Sequence, residues 1–203
     1  MRGYYFITDG GLSAGGMASD VEKAVAAGVG MIQYRNKTAG GRVMHEEAAL
    51  IKRICAGTRT RLIINDRADI ALAVDADGVH IGQEDMPYEA VRGLLGDGRI
   101  IGVTVHSVEE AVEFERRGAD YLGVSPIFAT GTKPDAGRAC GIETLRAVRR
   151  ACNKPLAAIG GIDLSNADEV IKAGADMLCA ISAVVTKPDV SAEIMKFQRK
   201  YGL

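Results

Sequence analysis

A (β/α)8 TIM barrel is the fold class that the sequence predicts, on three observations. Eight short apolar runs alternate with longer segments in which apolar residues recur at intervals of three and four, the periods of buried strands and amphipathic helices. The stretches AGVGMIQ, RGADYLGV and AGADMLCA repeat one arrangement of helix end, glycine turn and buried strand. The length, 203 residues, suits one domain built from such units. Parallel strands buried on both faces require a helical crossover between neighbours, and eight β/α units satisfy this by closing on themselves. An open doubly wound sheet is the alternative. No low-complexity linker, Pro-rich break or charge block divides residues 1–203, so a single barrel domain is expected over the whole chain.

The elements follow in order. A first strand at 4–8 runs into the glycine-rich loop DGGLSAGG at 9–16. Ser19 followed by Glu22 matches a capping box at the start of DVEKAVAAG, which stops at Gly28. A strand at 31–34 precedes the helical stretch RVMHEEAALIKRICAG, and a strand at 62–64 ends in Asn65-Asp66. The strand at 79–81 is followed by Gln83-Glu84-Asp85. After a strand at 100–105, Ser107 and Glu110 form a second capping box on SVEEAVEFERR, which stops at Gly118. A strand at 121–124, the long loop IFATGTKPDAG and the helix IETLRAVRRACN lead to a strand at 156–159. A helix stop at Gly174 precedes the last strand, expected at 177–181.

A formal net charge of −1 and a pI near 6.3 argue against a general binder of nucleic acid or membrane surfaces. They leave room for a local cationic pocket for an anionic small molecule. No run approaches the ~18 apolar residues of a membrane span, and MRGYYFITDGG lacks the apolar core of a signal peptide. A cytoplasmic location is therefore expected. Cys55, Cys140, Cys152 and Cys179 show no CxxC spacing, so they read as reduced core or surface residues, and the dispersed His45, His80 and His106 make a zinc site an unlikely reading.

In a barrel the active site forms at the C-terminal ends of the strands. The residues there are polar in every unit, whereas turns into the strands, such as AAGVG and CNKP, are small or bland. Asp66 and Asp85 end consecutive strands, so both carboxylates reach one space, and with ligand oxygens and waters they suit Mg²⁺. The alternative is that each caps the helix after it. Gln33, Arg35 and Lys37 alternate, so an extended segment puts them on one face. Two cations there imply an anion, since unpaired burial is costly, unless Arg35 pairs with Asp9 or Glu84. In the sixth loop Thr130, Thr132 and Lys133 offer hydroxyls and an ammonium for a phosphate, and Gly131, Pro134 and Gly137 suggest a closing loop. AAIGGI followed by CAISA fits the phosphate site that many barrels build after their last two strands.

These residues resemble thiamine-phosphate synthase over nearly the whole chain, from YYFITD to CAISAV. QYRNK is similar to the family's Q-x-R-x-K element, NDRADIALAVDADGVHIGQED to its metal-binding segment, and TGTK and AIGGI follow in the family's order. The resemblance implies a Mg²⁺-dependent transferase that joins 4-amino-5-hydroxymethyl-2-methylpyrimidine diphosphate to hydroxyethylthiazole phosphate and releases pyrophosphate. It implies that Gln33, Arg35, Lys37, Asn65 and Lys133 bind the pyrimidine diphosphate and that Asp66 and Asp85 bind Mg²⁺. Thr104, where the family often has Ser, is implied to contact the pyrimidine. Thr130, Thr132, Gly161, Ile181 and Ser182 are implied to hold the thiazole phosphate. Arg35, Lys37, Thr104 and Lys133 are the expected catalytic groups. Small-molecule substrates are the expected partners, with a homodimer left open. The alternative is a thiazole tautomerase on the same barrel, with His106 as base.

Overall fold

The computed structural model describes residues 1–132 and 137–203. Its eight parallel strands close into one barrel in chain order. They are β1 (Gly3–Ile7), β2 (Met31–Tyr34), β3 (Arg61–Asn65), β4 (Gly78–Ile81), β5 (Ile100–Val105), β6 (Tyr121–Val124), β7 (Leu156–Ile159) and β8 (Met177–Cys179). The helices α1 (Met17–Ala26), α2 (Gly41–Cys55), α3 (Ala68–Ala73), α4 (Tyr88–Leu95), α5 (Val108–Arg117), α6 (Gly141–Ala151) and α7 (Ala167–Lys172) form the crossovers. After β8 come α8 (Ile181–Val185) and α9 (Val190–Lys200). Apolar residues fill both the barrel and the layer under the helices, and each large aliphatic side chain buried there contributes about 1.5–3 kcal/mol. Among the described residues, no helix is long and apolar enough to cross a membrane.

Several expected boundaries shift by a residue or two, β1, β3 and β4 among them, and two differences have an identifiable cause. The last strand ends at Cys179 and Ile181 opens α8, because Ala180 (φ −132°, ψ 77°) turns the chain away from the barrel. A short apolar run does not by itself distinguish strand from helix. Ser19 lies inside α1, whose N-cap is Gly16. There the neighbouring Asp20 faces inward and accepts the Ser13 hydroxyl at 2.5 Å. The second capping box forms in part: Ser107 Oγ accepts the Glu110 N–H at 3.2 Å, while the Glu110 carboxylate accepts the N–H of His106, one residue before the N-cap, at 2.7 Å. Gly28, Gly118 and Gly174 sit at positive φ after their helices, as helix stops require.

The turns into the strands carry more chemistry than the sequence suggested. Asp77, Asp120 and Asp176 precede β4, β6 and β8, and each carboxylate accepts a backbone N–H of a neighbouring strand: Leu62, Ile101 and Leu156, at 2.8, 2.8 and 2.9 Å. Each also pairs with a cation, Lys52, Arg92 or Arg149. At the same end Gln198 of α9 accepts the Tyr4 N–H at 2.9 Å, tying the chain end to the first strand. Asp176→Ala is expected to lose about 1–3 kcal/mol of stability by stranding the Leu156 N–H, with turnover per folded molecule unchanged. Denaturant unfolding beside a rate measurement checks this, and a rate loss without a stability loss would contradict it.

Candidate active site

The C-terminal mouth is built strand by strand. Gln33, the penultimate residue of β2, is almost fully buried, Arg35 is half-buried beyond the strand, and Lys37 is exposed at the rim. The Thr8 hydroxyl accepts the Arg35 N–H at 2.9 Å, which fixes how β2 leaves the barrel. Lys37 Nζ lies 2.6 Å from Asp66 Oδ2. Asn65 is buried at the end of β3, in register with His80.

Asp66 adopts the left-handed conformation, with φ +62°, which Asp tolerates better than most residues. Its N–H donates to the His80 carbonyl at 2.8 Å. Neither carboxylate caps the next helix: the N-caps of α3 and α4 are Arg67 and Pro87, without side-chain caps. Asp85 Oδ2 instead accepts the Gly82 N–H at 2.7 Å. Burial raises the Asp66 carboxyl above the ordinary range; the adjacent Asp85 carboxyl adds to this and Lys37 opposes it. Two neighbouring carboxyls that resist sharing negative charge suit a divalent cation between them. Among the described residues no third His, Cys, Asp or Glu joins them. Such a donor set fits Mg²⁺, which retains waters and takes substrate phosphate oxygens alongside one or two carboxylates.

Inside the barrel runs a chain of hydrogen bonds that the sequence reading missed. Gln33 Nε2 donates to Tyr5 OH at 2.9 Å, and Tyr5 OH meets Tyr121 OH at 2.9 Å. Tyr121 OH meets His80 Nδ1 at 2.8 Å, and His80 Nε2 meets Thr104 Oγ1 at 2.8 Å. Burial raises both tyrosine hydroxyls far above their ordinary range, so they stay protonated. Two strand glycines make room. A Cβ at Gly102 would overlap the Tyr121 ring, and one at Gly123 would lie 3.0 Å from His80 Cε1. Glycine weakens a strand unless something approaches its backbone closely, so the glycines in IIGVTV and YLGV beside an inward tyrosine were the available signal. Gln83 crosses the rim to donate to the Thr104 carbonyl at 2.7 Å.

Opposite lies a pocket lined by Thr130, Thr132, Gly161, Ile181 and Ser182. Thr130 Oγ1 accepts the Thr132 N–H at 3.2 Å, and the Thr132 hydroxyl donates to Ser182 Oγ at 3.2 Å. Ile181 and Ser182 open α8, where the first N–H groups have no intrahelical acceptor. Gly160 and Gly161 serve loop packing as well as access to the backbone: Cβ atoms there would lie 2.5 Å from Pro126 and 2.7 Å from Phe128 and Ala129. His106 Nδ1 donates to the Ser125 carbonyl at 2.6 Å beside this pocket. Lys133 and Pro134 lie outside the described residues. None of the four cysteines is in a disulfide; burial pushes Cys55 and Cys152 up to about 11.

Residues 4–184 match the family model described as thiamine monophosphate synthase. A thiamine-phosphate synthase of Methanosarcina barkeri is 53% identical over 194 residues, covering 96% of this chain and 88% of the relative. One from Chloroflexus aurantiacus is 49% identical, covering 93% and 87%. The solved thiamine phosphate pyrophosphorylase of Pyrococcus furiosus superposes with a TM-score of 0.91 at 39% identity, covering 99% of this chain and 96% of that one. The chain belongs to the thiamine monophosphate synthase family.

Proposed function

We propose that this chain condenses 4-amino-5-hydroxymethyl-2-methylpyrimidine diphosphate with hydroxyethylthiazole phosphate, giving thiamine phosphate and pyrophosphate, at the mouth of the barrel. One observation carries the assignment of the site: the mouth is divided into a half suited to a metal-bound diphosphate and a half suited to a phosphate. Lys37, Asp66 and Asp85 follow β2, β3 and β4, while Thr130, Thr132, Gly161, Ile181 and Ser182 surround the pocket after β6, β7 and β8. Two phosphorylated substrates, one of them a diphosphate, need such a division.

In the reaction the methylene C–O bond breaks with its electron pair leaving on the diphosphate, and the thiazole nitrogen lone pair forms the new C–N bond. Negative charge gathers on the leaving group, so Arg35, Lys37 and Lys133 stabilise the transition state more than the ground state. Mg²⁺, when bound by Asp66 and Asp85, offsets charge on the departing diphosphate. Asn65 orients the diphosphate from the end of β3. Gln33 and Thr104 hold the pyrimidine: Gln33 Oε1 is buried without a protein donor and suits the ring's amino group. The electron-rich aminopyrimidine supports a transient cation, so the step is dissociative, and excluding water prevents its hydrolysis. The thiazole phosphate rests on the Thr130, Thr132 and Ser182 hydroxyls and the backbone at Gly161 and Ile181. No protein nucleophile is required. The reaction uses small soluble substrates, in keeping with a cytoplasmic enzyme.

The test mixes purified protein, both substrates and Mg²⁺, and follows pyrophosphate and thiamine phosphate with and without EDTA. Equal, metal-dependent formation of both products is expected. Folded protein that makes neither would refute the reading.

A further inference from the structure

The interior chain of hydrogen bonds has a direction, and that direction reaches the substrate. It begins at Gln33, whose Nε2 donates to Tyr5. A hydroxyl that has accepted a proton at its oxygen still has its own to give. Tyr5 therefore donates to Tyr121, and Tyr121 to His80 Nδ1. A neutral imidazole that accepts at Nδ1 carries its proton on Nε2, so His80 donates to Thr104 Oγ1. Thr104 then keeps its hydroxyl proton for a group outside the protein.

The reverse direction would either strand the buried Tyr5 hydroxyl proton, with Tyr5 accepting from both neighbours, or require Gln33 to turn its amide over. Its two N–H groups would then take the place of Oε1, the one end of this side chain that meets no protein partner. Stranding two donors costs more than leaving one carbonyl oxygen open. The geometry points to Tyr5, Tyr121 and His80 as a polarised relay of positioning residues, which presents an acceptor at Gln33 and a donor at Thr104 to the bound heteroaromatic ring. This role rests on the proposed reaction, but the direction of the relay does not.

The surrounding packing is built for the relay. The Tyr121 and His80 rings stack with centroids 5.4 Å apart and planes 28° apart. Gly102 faces Tyr121 in register, and Gly123 faces Thr104. Both positions lack the side chain that would push a relay member aside. The span from β2 through β1, β6 and β4 to β5 crosses the barrel axis, so the two ends face the ring from different sides.

The experiment is a long-range proton–nitrogen correlation spectrum of the full chain labelled with ¹⁵N-histidine, without substrate. His45 and His106 are exposed, so His45→Gln and His106→Gln identify the His80 signals by elimination. The expected result is a neutral His80 with an unprotonated Nδ1 and a protonated Nε2. In Tyr121→Phe, which keeps the ring and removes the donor, His80 should populate both tautomers. The rate constant kcat should fall about tenfold, the equivalent of one aligned hydrogen bond, with KM for the pyrimidine diphosphate little changed. A wild-type His80 protonated on Nδ1 would overturn the proposal without any variant having to fold, and so would a Tyr121→Phe spectrum identical to wild type. Inactive protein with His80 protonated on Nε2 would refute the proposed reaction while leaving the relay's direction standing; active protein with the opposite tautomer would do the reverse.

Discussion

Asp66→Ala and Asp85→Ala are each expected to lower turnover by at least ~100-fold, about 2.7 kcal/mol of lost transition-state stabilisation. Two effects combine in the first substitution. It removes a donor to the cation, and it releases Lys37 from a 2.6 Å pair. The lysine then loses one of the contacts that set its place beside the leaving group. In Asp85→Ala the loss includes the 2.7 Å bond to the Gly82 N–H, so the loop after β4 loosens as well. Both carboxylates lie outside the core, hence the melting temperature should change little while the Mg²⁺ concentration for half-maximal rate rises. Near-normal rates and an unchanged Mg²⁺ requirement in both purified variants would eliminate the shared metal role. Asp66→Asn adds a useful contrast, since it keeps the shape of the side chain and one acceptor oxygen but removes its charge.

The second large effect lies in the barrel interior. Gly102→Ala adds one methyl group, which would occupy the space of the Tyr121 ring. The ring is fully buried and stacked on His80, and a close-packed core has few places for it to go. Overpacking of this kind costs about 1–3 kcal/mol, which in a chain of this size lowers Tm by about 2–4 °C for each kcal/mol. Turnover should fall with it, because Tyr121 must leave its hydrogen bonds to Tyr5 and His80. Thermal unfolding together with a rate assay measures both consequences. An alanine variant with wild-type Tm and rate would show that the interior yields more easily than its packing suggests.

The barrel was legible because its two periods and its crossover requirement are properties of the chain alone. The nearness of Asp66 and Asp85 was legible for the same reason: consecutive strands of a barrel are neighbours, so their ends are too. The partner of Asp66 was not, because it depends on how the long Lys37 side chain folds back over the rim. Ile181 was read as strand since a short apolar run looks alike in strand and helix. The relay was hidden for a different reason. Tyr5, His80 and Tyr121 are ordinary strand residues by composition, and only the register between strands brings their polar atoms together. The aspartates before β4, β6 and β8 likewise gain their meaning only when a neighbouring strand offers its N–H.

The space shared by Gly102 and Tyr121 also constrains how this barrel can change over time. One ring fills the volume of two positions, so drift at either position alone meets a penalty: a larger residue at 102 collides, and a smaller one at 121 leaves a void. A paired exchange that keeps the combined volume avoids both penalties, as with alanine at 102 and leucine at 121, but it removes the hydroxyl between Tyr5 and His80. Contacting residues are expected to be non-additive in this way. Volume can therefore be traded between these strands without harm to the fold, whereas the polar function of the interior cannot follow. A descendant that repacked this pair would keep the barrel and lose the polar link between Tyr5 and His80.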